Sequence, residues 1–452
     1  MQDQFWSEQH LSQYNAVALQ TESQQLSYKD LNKEIDKTSL FIKKNIAANK
    51  IAFLLLNNNI ESVVTYLACL RESIVPLLLP GNIDKALLDN LKNIYIPGII
   101  FNSNKQNSFE FINSKLENNT HSNLAILLST SGSTGSPKLV RLSKDNVISN
   151  TKSISSYLNI KNTDKALCSM PLSYSYGLSV LNTHLLSGAC TYLTEKSPFD
   201  KEFYEILDEE NITSLSGVPF FYNILFRTGF IKKKFPSLKT MTQAGGAMPI
   251  KLTKIFVDNA IEKGIDFFVM YGQTEATARM TFFKTNDYLN KIGSIGRPIP
   301  GGNIVLSPSS EIVYSGRNVM LGYAENREEL NKGDVNKNVL KTGDIGKLDE
   351  DEFIYIIGRK KRFIKIAGSR FNLDDIEMAL EQEFENNFML IGSDENLIVC
   401  YLKENYDLEI IYSFLQDRYN LNRTFIKLEL IDKILTTSNG KKDYEALRNK
   451  FL

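Results

Sequence analysis

Tryptophan with one copy, histidine with three and cysteine with four are all close to absent from this chain of 452 residues. His10, His121 and His184 stand far apart, and so do Cys69, Cys168, Cys190 and Cys400. No metal-ligand or redox spacing can be assembled from them. Each cysteine lies in an apolar stretch, as expected of a small buried residue in a reducing compartment. His184, within Leu-Asn-Thr-His-Leu-Leu, reads as a helix-packing residue rather than a base. Long apolar runs are missing as well. None approaches the ~20 residues that a membrane-crossing helix needs. The first ten residues are polar and carry acidic side chains, so no secretory leader is expected and a cytoplasmic protein is. Net charge is the last absence. Fifty-two basic residues balance 52 acidic ones, which gives no electrostatic reason to expect nucleic acid as a partner.

What is present is an ordinary core-forming composition, 42% hydrophobic, on a chain long enough for two or three domains. An apolar run over 51–56, helical spacing over 60–71 and a second run over 74–79 make a strand–helix–strand unit. Such a unit implies a parallel sheet. The alternation continues through 147–158, 180–186, 189–193, 203–207, 212–215 and 265–270. Residues 102–123 are polar and are expected to form a loop.

The most unusual stretch comes after the predicted strand 124–128. Residues 129–136 are all Ser, Thr or Gly, and Pro137 and Lys138 come next. Thr130, Ser131, Gly132, Ser133, Thr134 and Gly135 expose backbone N–H groups and hydroxyls with little side-chain bulk. Successive N–H groups of this kind can form a nest for an anion, and Lys138 adds a mobile positive charge suited to phosphate. The loop is not a Walker P-loop, which needs Gly-Lys-Ser/Thr after its spacer. A plain Ser/Gly surface turn is the other reading of the loop alone.

The string Thr-Ser-Gly-Ser-Thr-Gly-x-Pro-Lys resembles the phosphate loop of the adenylate-forming enzymes, which include acyl-CoA synthetases, adenylation domains and luciferases. Leu139 and Ser73 depart from that pattern, where the family usually has Gly. Further segments resemble the family in its own order: Pro171 to Gly177, Gly245-Gly246-Ala247, Tyr271-Gly272-Gln273-Thr274-Glu275, Gly293 to Pro298, Gly316 to Tyr323, Gly343-Asp344, Gly358 to Arg370, and Asn439-Gly440-Lys441. The resemblance covers nearly the whole chain.

It implies an α/β fold. A large N-terminal domain (1–357) would carry parallel βα sheets plus a β subdomain, and a small mobile α+β domain (358–452) would complete the chain. It also implies roles. Thr130 to Gly135 and Lys138 would grip the phosphates of ATP. Gly245, Gly246 and Ala247 would lie beside adenine and the reacting carboxylate, with Tyr271 and Gly272 at the base. Thr274 would reach the α-phosphate, and Glu275 would ligate Mg²⁺. Asp344 would accept the ribose hydroxyls, and Arg359 would contact ribose and phosphates. Tyr174 would line the acyl pocket. Gly217 and Phe221 open a helix whose aromatics either wall that pocket or pack the core. Lys361 would be the hinge, although many relatives have Asp-Asp where Lys361-Arg362 stands. Gly368 would line the path of the thiol. Lys441 would enter the site for adenylation, with Lys442 its adjacent alternative.

The implied activity is ATP-dependent activation of a carboxylic acid to an acyl adenylate. Transfer to a thiol comes second, either to CoA or to the phosphopantetheine of an acyl or peptidyl carrier protein. The Tyr174 segment lacks the carboxylate that would pair with an α-ammonium group, which points to a fatty, aryl or other simple acid. A buried cation without a partner would cost several kcal/mol. The competing readings are a non-catalytic relative that binds nucleotide or acyl adenylate, and an unrelated ATP-dependent enzyme such as a P-loop kinase.

Overall fold

The structure is a computed structural model of the full chain. It describes residues 4–46, 49–105, 108–112, 120–129, 138–360, 362–366, 369–384, 386–393, 396–402, 407–437 and 441–452. The chain divides into two compact units. One comprises Met1–Ile292, Gly296–Asn303 and Tyr314–Leu340, and the other Gly293–Ile295, Ile304–Val313 and Lys341–Leu452.

Two sheets form the first unit. The strands Ile51–Leu56, Val75–Pro80, Leu124–Ser129 and Ile99–Asn102 are the parallel centre of a seven-stranded sheet. These strands are apolar along their length because both faces are covered. Ala52, Leu54 and Leu56 point into the main core, while Ile51, Phe53 and Leu55 point into a second cluster on the opposite face. Leu139 opens the next strand, Leu139–Ser143, and is fully buried in that second cluster. The departure from glycine at that position therefore adds core surface. Ser73 takes a left-handed conformation at φ +53°, which accounts for the usual glycine there. Lys144 donates to its hydroxyl at 3.0 Å.

A nine-stranded sheet lies on the other side of the main core. Its parallel centre runs Asp266–Tyr271, Thr240–Gln243, Ser214–Gly217, Lys165–Cys168, Cys190–Leu193 and Val17–Gln20. The helices Ile60–Arg71 and Ser175–Leu186 are buried almost all round in this core. His184 is among their buried residues. Its Nδ1 lies 2.8 Å from the Val180 carbonyl, and burial pushes the imidazole below its ordinary range. All four cysteines are free and buried. Among the described residues no helix is long and apolar enough to cross a membrane.

The second unit holds most of a four-stranded sheet, Gly302–Leu306, Glu311–Gly316, Val339–Leu348 and Ile354–Arg359. It also holds a hairpin, Phe363–Ile366 with Ser369–Asn372, and a three-stranded sheet, Phe388–Gly392, Leu397–Leu402 and Ile426–Ile431. Helices Leu373–Phe384, Leu408–Tyr419 and Tyr444–Phe451 complete it. The sequence pattern suggests a boundary at 357/358. Compactness instead groups the four-stranded sheet with the C-terminal elements, since Val339–Leu348 pairs with Ile354–Arg359 in a hairpin ladder.

A charged cluster organises the C-terminal part of this unit. Glu377 is buried and receives Arg362 Nη2 at 3.0 Å and Lys442 Nζ at 2.6 Å. Arg362 Nε also meets Asp374 at 2.6 Å, and Lys442 meets Glu381 at 2.6 Å. Burial works against the Lys442 charge, but the Glu377 and Glu381 carboxylates outweigh it and hold the ammonium above its ordinary value. Its stabilising contribution is then complete below pH 10.5 and is lost as pH rises through the raised folded value. Lys442→Met leaves Glu381 without its cation and Glu377 with Arg362 alone, and the expected cost near neutral pH is about 3 kcal/mol. Hydrogen exchange of the strand Phe388–Gly392 measures this. Faster exchange at neutral pH is expected in the variant, together with loss of the alkaline dependence.

Candidate active site

The parallel strands of the nine-stranded sheet end side by side, with Gly217 opposite Gln243 and Gln243 opposite Val269. Loops leaving carboxyl ends of parallel strands form the binding crevice of open α/β sheets. Here those loops carry Tyr174, Gly245 to Ala247, and Gly272 to Glu275.

Close packing fixes these loops. Gly245 has φ +85°, and a Cβ there would fall 2.8 Å from the Tyr174 hydroxyl. Only glycine lets the two segments meet. At Gly272 a Cβ would lie 1.8 Å from the Ala278 carbonyl oxygen. Burial pushes the Tyr174 hydroxyl up to about 12, so it stays protonated. Thr274 Oγ1 lies 3.5 Å from Ser175 Oγ, the first helical residue after Tyr174. Gln273 Nε2 donates to the Tyr271 hydroxyl at 3.3 Å. Phe221 is buried with its ring against Gly217 and 5.8 Å from Phe203, the surroundings of a core residue.

After Glu275 the chain reverses. Thr277 takes φ +66° and ψ −62°, and the Ala278 N–H donates to the Ala276 carbonyl at 2.7 Å. This is a γ-turn of the rare, strained hand, and a β-branched residue is a poor occupant of it. The surroundings hold it there. Thr277 Oγ1 donates to the Asn318 carbonyl at 2.8 Å, and Asn318 Nδ2 donates to the carbonyls of Ala276 and Arg279, each at 2.9 Å. Tyr314 donates to Asn318 Oδ1 at 2.7 Å and fixes the orientation of that amide.

Lys138 and Glu275 approach a common side chain. Lys138 Nζ lies 3.9 Å from the centroid of the Tyr323 ring and 3.6 Å from Glu325 Oε1. The Tyr323 hydroxyl donates to Glu275 Oε1 at 2.8 Å. Among the described residues Glu275 makes no ion pair, and no cluster of three or more His, Cys, Asp or Glu is built to hold a metal. One carboxylate in that setting fits Mg²⁺, which keeps several waters and takes phosphate oxygens as its remaining ligands.

In the second unit Asp344 is buried and accepts from Arg359 Nε at 3.1 Å, so these two sequence-predicted residues are paired. The Thr437 N–H donates to the Lys441 carbonyl at 2.8 Å, while Lys442 is committed to the charged cluster around Glu377. Thr130 to Gly135, Lys361 and Gly368 lie outside the described residues.

Sequence reasoning gave no role to Arg279, Asn318 or Tyr323. Arg279 is buried with its guanidinium 3.8 Å from the Tyr176 ring centroid, its Nε has no hydrogen-bond partner, and no carboxylate pairs with it among the described residues. Its nearness to the Tyr-Gly-Gln-Thr-Glu segment was the available signal. Asn318 gave none, because the atoms its amide NH₂ serves are backbone carbonyls.

Comparison with known proteins gives the class. A profile described as AMP-binding enzyme matches residues 84–324, and the chain belongs to that family. A 2-succinylbenzoate–CoA ligase of Bacillus cereus is 32% identical over 266 residues, 56% of this chain and 53% of that protein. The Bacillus anthracis enzyme of the same name is 31% identical over the same length. The chain thus spans about half the length of the curated relatives it matches. Solved structures of similar fold include o-succinylbenzoate CoA synthetase of Bacillus subtilis with its acyl-adenylate intermediate. It has TM-score 0.81 and 22% identity, with 99% of this chain and 98% of that one covered. ATP-bound MatB of Rhodopseudomonas palustris has TM-score 0.83 and 18% identity, covering 100% and 99%.

Two substitutions separate support of the loop from chemistry. Asn318→Ala strands two buried carbonyls, and an unsatisfied buried group costs about 1–3 kcal/mol. Urea unfolding is expected to show a loss of about 2–4 kcal/mol. Arg279→Met removes a buried cation that lacks a counter-ion, and its thermal midpoint is expected to equal or exceed that of the parent. A fall of several degrees would show that Arg279 is structural.

Proposed function

We propose that this protein activates a small carboxylic acid with ATP and passes the acyl group to the thiol of CoA. The observation that carries this reading is the convergence of Tyr174, Gly245, Thr274 and Glu275 at the carboxyl ends of parallel strands of one sheet, with Lys138 brought to Glu275 through Tyr323. Family membership and the 2-succinylbenzoate–CoA ligases among the relatives support it. They make 2-succinylbenzoate the first acid to test.

In the first half-reaction the carboxylate, held beside Tyr174 and Gly245, attacks the α-phosphorus and pyrophosphate leaves. Holding both reactants in place removes roughly 7–11 kcal/mol from the barrier. Negative charge develops at phosphorus, so preorganised cations and N–H groups carry much of the catalysis. Lys138, the loop 130–137, Thr274 and Lys441 are assigned that work. Mg²⁺ on Glu275 would supply charge neutralisation at the phosphates. Asp344 and Arg359 are assigned to the ribose, an exchange in which Asp344 keeps a hydrogen-bonding partner. In the second half-reaction residues 358–452 turn about Lys361, Lys441 withdraws, and the thiol passes Gly368 to attack the acyl carbonyl. Lys442 cannot substitute for Lys441 without abandoning buried Glu377 and half-buried Glu381.

Acid-dependent exchange of pyrophosphate into ATP tests this. The panel is 2-succinylbenzoate with fatty, aryl, hydroxy and amino acids. Exchange with one acid class is expected, and Lys441→Ala should reduce it at least about a hundredfold, the scale of one lost transition-state contact. Addition of CoA should then yield a thioester. ATP binding without exchange for any acid would favour the non-catalytic reading.

A further inference from the structure

Tyr323 stands between the two charged side chains assigned to the nucleotide. Its strand, Gly322–Ala324, pairs antiparallel with Leu139–Ser143, placing Tyr323 opposite Val140. That register brings the ring alongside Lys138, the residue just before the partner strand. Arg141, buried on the same strand, donates to the carbonyls of Tyr323 and Leu321, each at 3.2 Å, and to that of Gly333 at 3.3 Å. The Met320 N–H donates to the Glu275 carbonyl at 2.8 Å. One segment therefore holds the backbone of Glu275 and the ring that faces it.

The ring offers each neighbour a different surface. Its face, electron-rich, takes the Lys138 ammonium at 3.9 Å. Its hydroxyl donates to Glu275 Oε1 at 2.8 Å. A lysine and a glutamate in direct contact pair with each other. Each would then be unavailable to a phosphate or a metal. The ion pair Lys138 does make is with Glu325, whose side chain is 59% exposed, and such a pair is readily exchanged for phosphate.

We propose that Tyr323 is a positioning residue that keeps Lys138 and Glu275 apart and aimed, so that the cation meets phosphate and the carboxylate meets Mg²⁺. The inference rests on the acid-activating function proposed for this site. It separates two functions of one side chain. The ring serves Lys138 and thus nucleotide binding with or without metal, and the hydroxyl serves Glu275 and thus only the metal-dependent part.

Calorimetric titration of ATP into the full chain, with Mg²⁺ and with EDTA, tests it on Tyr323→Phe and Tyr323→Leu. Tyr323→Phe keeps the ring and is expected to bind ATP in EDTA within twofold of the parent. The gain in affinity on adding Mg²⁺ should shrink about tenfold, the scale of one hydrogen bond to a charged group. Tyr323→Leu should weaken binding in both conditions. Thermal midpoints of both variants, measured without ligand, show whether the fold is intact. A Tyr323→Phe protein with the parent's Mg²⁺ dependence overturns the proposal. So does one weakened equally in Mg²⁺ and EDTA. A parent protein that binds no ATP in either condition overturns the proposed function of the site itself, and this inference with it.

Discussion

Where the chain turns after Glu275 decides the geometry of everything around it. The γ-turn at Thr277 is a conformation that a β-branched residue resists, and it persists because Asn318 and Tyr314 over-determine it. Backbone strain of this kind collects where position matters more than local comfort. The reversal aims the Glu275 carboxylate at Tyr323, drops Arg279 onto the ring of Tyr176, and leaves no room for a side chain at Gly272. Asn318 lies on the connection that runs into the Tyr323 strand, so one short segment supports both the turn and the ring facing it.

Much of the fold was legible in the chain. The runs at 51–56 and 124–128 are strands with both faces buried, and continuous apolar sequence is what that environment selects. Helix Ile60–Arg71 was equally plain. Other elements were not. The strand Phe388–Gly392 was missed because five residues after a helix, without alternation, give no period to read. Helix Lys85–Tyr95 lies in a polar surface sequence with few buried positions, and only Leu91 and Tyr95 are fully covered. The hairpin from Phe363 was hidden by the basic run before it, which reads as a solvated face, yet Arg362 is buried against Glu377 and Asp374.

The site divides in the same way. Gly245, Thr274 and Glu275 were named through the resemblance of the compact motifs that hold them. Asn318 and Tyr323 lie in the Gly316 to Tyr323 segment, but nothing in that spacing shows which side chains or backbone atoms they or Arg279 meet. The Lys441–Lys442 pair shows the difference well. Both read alike in sequence, but Lys442 pairs with buried Glu377 and half-buried Glu381 and has a structural task. The resulting frame ties the start of the strand Phe363–Ile366 to Lys442, next to Lys441, because Arg362 and Lys442 share Glu377.

The claim at the centre of this account is that a carboxylate oxygen attacks the α-phosphorus of ATP. An acid carrying ¹⁸O in its carboxylate, turned over with ATP and CoA, tests it directly by mass spectrometry of the products. The account predicts one labelled oxygen in AMP, left behind when the thiol takes the acyl group. Label in orthophosphate, with ADP as the other product, would place the attack at the γ-phosphorus and contradict it.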